Sequence, residues 1–324
     1  MVSDLPKKVL ITGGREVGGL TSFAEALAEG FSQLDIPAEV IPPARIWSRW
    51  RELRDPGTLK ILSTTAIFAV PFGRHAICVT HGYPGAAFLG WAKFLGHVCA
   101  DRLAVWSPQA RFVTVSHYAA IHLEGILTLK PDAVIPNPIK GAFLEPFDSV
   151  VEQRRYITFA GRLHSTKNIH LLLPAILEIL NQQPELEALI VGDGPEREML
   201  ENLAAGYPRV HFTGSLDSLE LRARLRQTRV FVSGCTHEAL GIAYLEALSQ
   251  GCNVAMPACG GGIEIAPELI GGRIQLMPLP LESGTIRIAI ARALEHQNCV
   301  LNLDRYSPKA AALAYLTNAP DAIE

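Results

Sequence analysis

The residues best placed to do chemistry lie in one stretch, Thr236-His237-Glu238-Ala239-Leu240-Gly241-Ile242-Ala243-Tyr244-Leu245-Glu246-Ala247-Leu248, with two carboxylates eight positions apart. It follows the apolar run Val230-Phe231-Val232 and leads to Gly251, a natural helix stop. The pattern predicts a helix over 239–250, with Glu238 in the preceding loop or first turn. On one regular helix, eight steps would separate the carboxylates by about 80° and by roughly 12 Å along the axis. Such a pair does not share a proton. A two-carboxylate hydrolase needs its groups about 5–9.5 Å apart across one bond. The spacing therefore favours two contacts along an extended ligand. Leu245 and Ala247 flank Glu246 in a segment poor in polar residues, which argues against a solvated carboxylate there.

Countercharges for such a ligand stand at Arg162 and Lys167, five apart in the polar turn after Tyr156-Ile157-Thr158-Phe159-Ala160. A planar guanidinium fork and an ammonium point charge can together neutralise a pyrophosphate. An ordinary exposed turn is the other reading. Gly260-Gly261-Gly262 reads either as a phosphate-cradling turn or as plain turn glycines. His81 follows the run Ile77-Cys78-Val79-Thr80 and precedes Gly82-Tyr83-Pro84-Gly85, so it is a loop residue at a strand end. His81, His117, His122 and His211 are too dispersed to suggest a metal cluster. Trp47, Arg49, Trp50, Arg51 and Arg54 form an aromatic-basic patch. It reads as a contact for lipid or acceptor, or as a helix with one buried and one solvated face, and the second reading is preferred.

The elements that must position these groups alternate strand, loop and helix. Val9-Leu10-Ile11-Thr12 runs into Gly13-Gly14, then Gly18-Gly19, then apolar residues at helical spacing: Leu20, Phe23, Ala24, Leu27, Ala28 and Phe31. Strand, glycine loop and helix open an α/β fold. Val134-Ile135-Pro136-Asn137-Pro138-Ile139 is too proline-rich for a regular element, and a linker is placed at 140–152. Beyond it come Ala188-Leu189-Ile190-Val191 before Gly192-Asp193-Gly194-Pro195, Val210-His211-Phe212-Thr213-Gly214, and Asn253-Val254-Ala255-Met256. A helix over 169–180 contains Pro174. The alternation predicts two α/β domains with largely parallel sheets, whose ligands bind beyond the carboxyl ends of the strands. The 324 residues suffice for two domains.

A net charge of −3 argues against nucleic acid as a partner. Residues 1–140 carry 14 Lys and Arg against 11 Asp and Glu, a mild positive excess that suits an anionic acceptor or membrane surface as well as plain scatter. Six cysteines without a CxxC pair indicate free thiols in a reducing compartment. Residues 1–8 lack the features of a secretory signal. The expectation is a cytoplasmic protein, soluble or resting on the inner face of the membrane. The most apolar stretch, 61–79, contains Pro71, Arg74 and His75 and reads as a buried helix or strand pair, not a span.

Taken together, these motifs resemble the retaining glycosyltransferases of the GT-B fold, especially the group 4 family. The likeness rests on Glu238 and Glu246 within Glu-Ala-Leu-Gly-Ile-Ala-Tyr-Leu-Glu-Ala-Leu, on Gly161-Arg162-Leu163 with Lys167-Asn168, on Val191-Gly192-Asp193-Gly194-Pro195, on Phe212-Thr213-Gly214, and on Val134-Ile135-Pro136-Asn137-Pro138. Gly18-Gly19 and Thr80-His81-Gly82 fit its first domain. The resemblance implies two Rossmann-like domains facing across a cleft: 1–140 on the acceptor side, 141–305 binding a nucleotide sugar, and a last segment, 306–324, whose helix near 307–316 returns to the first domain.

The same resemblance implies roles. Arg162 and Lys167 would hold the donor diphosphate, Glu246 the ribose and Glu238 the sugar. Ala239, Leu240, Gly241 and Ile242 would present backbone N–H groups. Gly18 and Gly19 would approach the diphosphate, His81 the sugar near the reacting carbon, and Ser116 would be a polar position in the cleft. Gly192 and Gly214 belong to loops lining the base pocket. A UDP- or GDP-sugar is the implied donor, moved with retention and without a bound metal or other cofactor. The acceptor, whether lipid, saccharide or small molecule, stays open. Ala239-Leu240, where the family commonly has a proline and an aromatic, leaves the transferred sugar open too. The alternatives are an epimerase or hydrolase of the same fold, or a non-catalytic partner protein that binds a nucleotide sugar.

Overall fold

The computed structural model describes residues 5–13, 18–72, 75–81, 91–107, 110–145, 154–265 and 273–320. They divide into two compact units, Met1–Gly141 with Asp304–Glu324, and Ala142–Leu303. Most of the expected linker at 140–152 lies outside the described residues, as does the turn Gly82-Tyr83-Pro84-Gly85.

The first unit holds one sheet of strands β1 (Lys8–Thr12), β2 (Ala38–Ile41), β3 (Thr58–Ser63), β4 (Ala76–Thr80), β5 (Ala110–Thr114) and β6 (Ala133–Val134). Their order is β2-β1-β3-β4-β5-β6, and every pairing is parallel. All residues of β3 and β4 are buried, as a sheet covered on both faces requires. The described residues of the apolar stretch 61–79 form the end of β3, a 3-10 helix Thr64–Phe72 and most of β4, and both strands are buried. No helix among the described residues is long and apolar enough to cross a membrane.

The helix Gly19–Ser32 turns Phe23, Ala24, Leu27 and Phe31 inward, matching the helical spacing of the sequence. The helix Pro308–Thr317 packs against it, started by Ser307, whose hydroxyl accepts from the Ala310 N–H at 3.2 Å. The crossing is tight. A Cβ at Gly30 would stand 1.9 Å from the Pro308 carbonyl oxygen and 3.1 Å from the Ala312 Cβ, so only glycine fits. Tyr315 lies fully buried with its ring 6.4 Å from that of Phe23. The Ile139 N–H donates to the Tyr306 carbonyl at 2.9 Å and fastens the segment that follows β6.

The aromatic-basic patch is smaller than the sequence suggests. Arg49 forks onto Glu39 with contacts of 2.6 and 2.7 Å and also pairs with Glu52, and both carboxylates receive Lys8. The Arg49 side chain is thus committed to an internal ion network. Trp47 and Trp50 remain largely exposed, with the Arg54 guanidinium 5.4 Å from the Trp50 ring.

The second unit repeats the plan with β7 (Tyr156–Ala160), β8 (Glu187–Val191), β9 (Val210–Gly214), β10 (Thr228–Val232), β11 (Asn253–Pro257) and β12 (Ile274–Met277). The order is β12-β11-β10-β7-β8-β9, with every strand pairing parallel. The helices Ile169–Gln182 and Ser283–Glu295 pack together and supply much of a core that includes Leu172, Leu173, Ile176, Ile286 and Ile290. Pro174 sits inside the first of these helices, which continues through it.

The strand order fixes where a ligand site belongs. In the second unit the chain leaves β7 toward β8 and β9, then returns to lay β10 on the other side of β7. The chain therefore departs from β7 and from β10 in opposite directions along the sheet, and their carboxyl ends mark the topological switch point where open α/β sheets bind ligands. In the first unit the corresponding point lies between β1 and β3.

Candidate functional site

Both carboxyl-end loops at the switch point of the second unit carry sequence-predicted site residues. After β7 the chain makes a short 3-10 turn, Ser165–Lys167, opened by His164, whose ring nitrogen accepts from the Thr166 N–H. Asn168 then takes a left-handed conformation, φ 51°, and starts the helix Ile169–Gln182. Its side-chain amide donates to the Gly234 carbonyl at 2.8 Å. A Cβ at Gly234 would meet the Lys167 carbonyl oxygen at 2.8 Å, so the glycine lets the two loops touch.

That contact brings together groups 71 residues apart. The Lys167 ammonium donates to Glu238 Oε2 at 2.9 Å and to Cys235 Sγ at 3.4 Å. Burial works against the charged lysine, but the Glu238 carboxylate and the Cys235 sulfur outweigh it and raise the Lys167 pKa above its ordinary 10.5. Lys167 is therefore a fixed cation at neutral pH. Burial, reinforced by the Glu238 charge, pushes the Cys235 thiol up to about 11, so it stays protonated. Arg162 stands exposed on the same loop as Lys167.

Glu238 precedes the helix, and the predicted helix start at 239 is corrected. The helix is Ile242–Ser249, three residues shorter at its beginning. Gly241 has φ +92°, which a helix cannot continue through, and a Cβ there would lie 2.2 Å from the Tyr244 ring. The geometry of one regular helix thus does not relate Glu238 to Glu246. Glu246 is 8% exposed, between the buried Leu245 and Ala247, which agrees with an inward-facing carboxylate. Leu240 and Ile242 are buried and Ala239 is half-buried. The Tyr244 hydroxyl donates to the Ser233 hydroxyl at 3.2 Å, tying the helix to the end of β10.

The phosphate-cradle reading of Gly260-Gly261-Gly262 gives way to an internal one. Gly261 N–H donates to the Glu238 carbonyl at 2.9 Å. Added Cβ atoms at Gly260 and Gly261 would lie 2.4 Å from the Glu238 carbonyl oxygen and 1.8 Å from that of Ala239. These glycines form a platform on which the 238–240 loop rests. Gly192 and Gly214 are likewise structural neighbours: Gly192 N–H donates to the Gly214 carbonyl at 2.8 Å, and a Gly192 Cβ would collide with the Gly161 carbonyl oxygen at 1.9 Å. The ends of β7, β8 and β9 are drawn together by the absence of side chains.

The remaining predicted residues belong to the first unit. His81 follows β4, with its ring edge-on to Phe23 at 5.0 Å. Among the described residues its buried Nε2 has no hydrogen-bond partner, and burial lowers its pKa to about 4, so the imidazole is neutral at physiological pH. Ser116 caps the helix His117–Leu127, accepting from the Ala119 N–H at 3.0 Å. Gly18 and Gly19 begin the helix Gly19–Ser32, and a Cβ at either meets nothing within 4 Å. Their small size answers no packing need within the described residues. No group of three or more His, Cys, Asp or Glu among those residues is arranged to hold a metal ion.

Sequence reasoning missed Cys235 as part of this arrangement and named Asn168 only within a motif, without a role. Cys235 carries no spacing signal. Asn168 could have been read as a helix start after a polar turn.

Comparison with known proteins agrees with this architecture. Residues 154–300 match the family Glycosyl transferases group 1. A sulfoquinovosyl transferase of Arabidopsis thaliana is 35% identical over 116 residues, which is 36% of this chain and 22% of that protein. One chain of the human phosphatidylinositol N-acetylglucosaminyltransferase is 33% identical over 153 residues, 46% of this chain and 30% of that one. The 2-deoxystreptamine glucosyltransferase of Streptomyces kanamyceticus is 28% identical over 238 residues, 60% of this chain and 62% of that one. The chain thus spans less than two thirds of the length of these relatives. Among solved structures, Anabaena HepE in complex with UDP and glucose superposes with a TM-score of 0.69 at 16% identity, covering 98% of this chain and 96% of that one. Sucrose-phosphate synthase from Thermosynechococcus elongatus gives 0.71 at 15% identity, covering 97% and 95%. The fold is that of the GT-B glycosyltransferases, two Rossmann-like α/β units. Residues 154–300 are thus similar to the group 1 glycosyltransferases, and that likeness covers the second unit.

Proposed function

We propose that the protein transfers a hexose-type sugar from a nucleoside diphosphate donor to an acceptor, with retention at the anomeric carbon, as the group 4 enzymes it resembles do. The observation that carries this reading is the Lys167–Glu238 pair at the switch point of the second unit, a fixed cation against a carboxylate at 2.9 Å. Lys167 and Arg162 offset the negative charge that grows on the leaving diphosphate, which lowers the barrier because charge there is larger in the transition state than in the bound donor. Lys167 has three N–H donors, of which two are directed at Glu238 and Cys235, leaving one for a phosphate oxygen. Glu238 keeps acceptor capacity for sugar hydroxyls after pairing with Lys167, since a carboxylate offers about four lone-pair sites. Glu246 receives the ribose, and the helix start after Ala239-Leu240-Gly241 supplies N–H groups without intrahelical acceptors.

Gly192 and Gly214 contribute to the base pocket through their backbone. For the first unit, His81 is assigned to the sugar, Gly18 and Gly19 to the diphosphate, and Ser116 to a polar position, each on the family resemblance. The leaving phosphate accepts the acceptor's proton, so the reading requires neither a second carboxylate at bonding distance nor a bound metal. Two of the relatives are named for phosphatidylinositol and for 2-deoxystreptamine, a lipid and a small molecule, which keeps both acceptor classes in view. Peripheral contact with a membrane is part of the lipid version.

A thermal-shift panel of UDP, GDP, ADP and their sugars tests the donor class. Stabilisation by one base is expected, because ligand that binds only the folded chain raises its melting temperature. Lys167→Ala should lower turnover about 10²–10³-fold. Its cost in stability should stay near about 0.2–1 kcal/mol, since the pair it breaks is partly solvated. No stabilisation by any nucleotide, or full transfer by Lys167→Ala, would overturn the reading. Donor cleavage without an acceptor would point instead to a hydrolase.

A further inference from the structure

We propose that Cys235 is a positioning residue that holds the Lys167 ammonium, paired with Glu238, in register for a donor diphosphate. The inference rests on the donor-site reading above and extends it to a residue outside the motif.

Cys235 lies three residues beyond β10, 3% exposed, at the meeting of the two carboxyl-end loops. Its sulfur accepts from Lys167 Nζ at 3.4 Å, and the same ammonium donates to the Glu238 carboxylate at 2.9 Å. The Cys235 N–H is held by the Ser233 hydroxyl at 3.3 Å. One side chain thus shares the ammonium with the carboxylate, and its own backbone is anchored to the end of β10. A sulfur lone pair accepts from the ammonium beside the carboxylate. A long lysine side chain otherwise samples many rotamers, and a single ion-pair contact does not select among them. Two acceptors at a fixed angle do. They leave the third N–H of Lys167 pointing in one direction, which is what recognition of a phosphate oxygen requires.

The position predicts a chemical preference. Serine keeps an acceptor for the ammonium, whereas alanine keeps none. A role confined to packing would rank the two differently, because alanine better matches an apolar site and serine brings an unneeded hydroxyl.

The test measures affinity for UDP or GDP, whichever stabilises the wild type, together with affinity for the bare nucleoside of the same base by competition. Cys235→Ser should bind the diphosphate within twofold of wild type. Cys235→Ala should bind it at least fivefold more weakly and the nucleoside equally well. In a Lys167→Ala background, Cys235→Ala should cost less than twofold further, because the group it positions is gone. Equal losses for diphosphate and nucleoside, or a full additional loss in the Lys167→Ala background, would show a general structural role and overturn the proposal. Circular dichroism and melting curves on every variant identify any that fail to fold, and Cys235→Ser then carries the comparison. If Lys167→Ala binds the diphosphate like wild type, the donor-site reading itself fails. If Lys167→Ala is impaired while Cys235→Ala is not, only the role of Cys235 fails.

Discussion

Substituting Gly261 by alanine is the most informative single perturbation of the candidate site, because it separates two uses of a glycine turn. Gly261 does not adopt a positive φ, so alanine can take its backbone conformation and the effect is steric alone. The added Cβ would stand 1.8 Å from the Ala239 carbonyl oxygen, where real Cβ contacts essentially never fall below 3.0 Å. One of the two backbones must retreat by roughly 1 Å or more, the kind of overpacking that costs about 1–3 kcal/mol. For a chain with units of this size that predicts a fall in melting temperature of roughly 3–10 °C. The loop that retreats carries Glu238, now 2.9 Å from Lys167. A shift of about 1 Å carries the pair toward the limit of an ion-pair contact, and misplacement on that scale costs about 10²-fold in rate. Melting curves with and without UDP or GDP, together with transfer rates, read both effects. A Gly261→Ala protein that melts and turns over like wild type would refute the platform argument. One that keeps its melting temperature but loses nucleotide binding would restore the phosphate-cradle reading.

Two further outcomes follow from the first unit. Gly19→Ala meets open space and should leave stability unchanged or raise it by up to about 1 kcal/mol. UDP or GDP affinity should nonetheless fall at least fivefold, and unchanged affinity would remove Gly19 from the donor site. His81 titrates near 4 in the folded chain and near 6.5 when unfolded. Its neutral form therefore supports the fold fully above the unfolded value, and that support is lost as pH falls from about 6.5 to 4. Denaturant titrations from pH 7 to 5 should show a shallower acid loss in His81→Phe than in wild type, and identical slopes would contradict the assignment.

Much of the fold was legible because parallel strands buried on both faces announce themselves as short apolar runs. Val9 to Thr12, Ala188 to Val191 and Val230 to Val232 all became strands, and the described residues of the apolar stretch 61–79 resolved into a strand pair around a 3-10 turn. The site was legible in kind but not in detail. Residue types and loop positions marked Lys167 and Glu238 separately, yet nothing in their spacing shows that a lysine and a glutamate 71 positions apart meet. The helix start was misplaced because periodicity continues through Ala239 and Leu240, whereas Gly241 adopts a conformation that sequence periodicity does not register. Gly260-Gly261-Gly262 looked like an anion cradle because the residues that need them small lie on a loop more than twenty positions earlier. Arg49 looked free for the same reason, its partners Glu39 and Glu52 being fixed only by the fold.

The close fit of Gly30 under Pro308 has a bearing on how the chain matures during synthesis. The second unit is one uninterrupted segment, Ala142–Leu303, whereas the first needs Asp304–Glu324 as well. On a ribosome the later-made unit can therefore finish folding before the earlier one, whose first helix waits without its contacts at Phe23 and Gly30 until Pro308–Thr317 emerges. The tightness that makes the finished contact specific also makes the waiting helix a surface that chaperones would recognise.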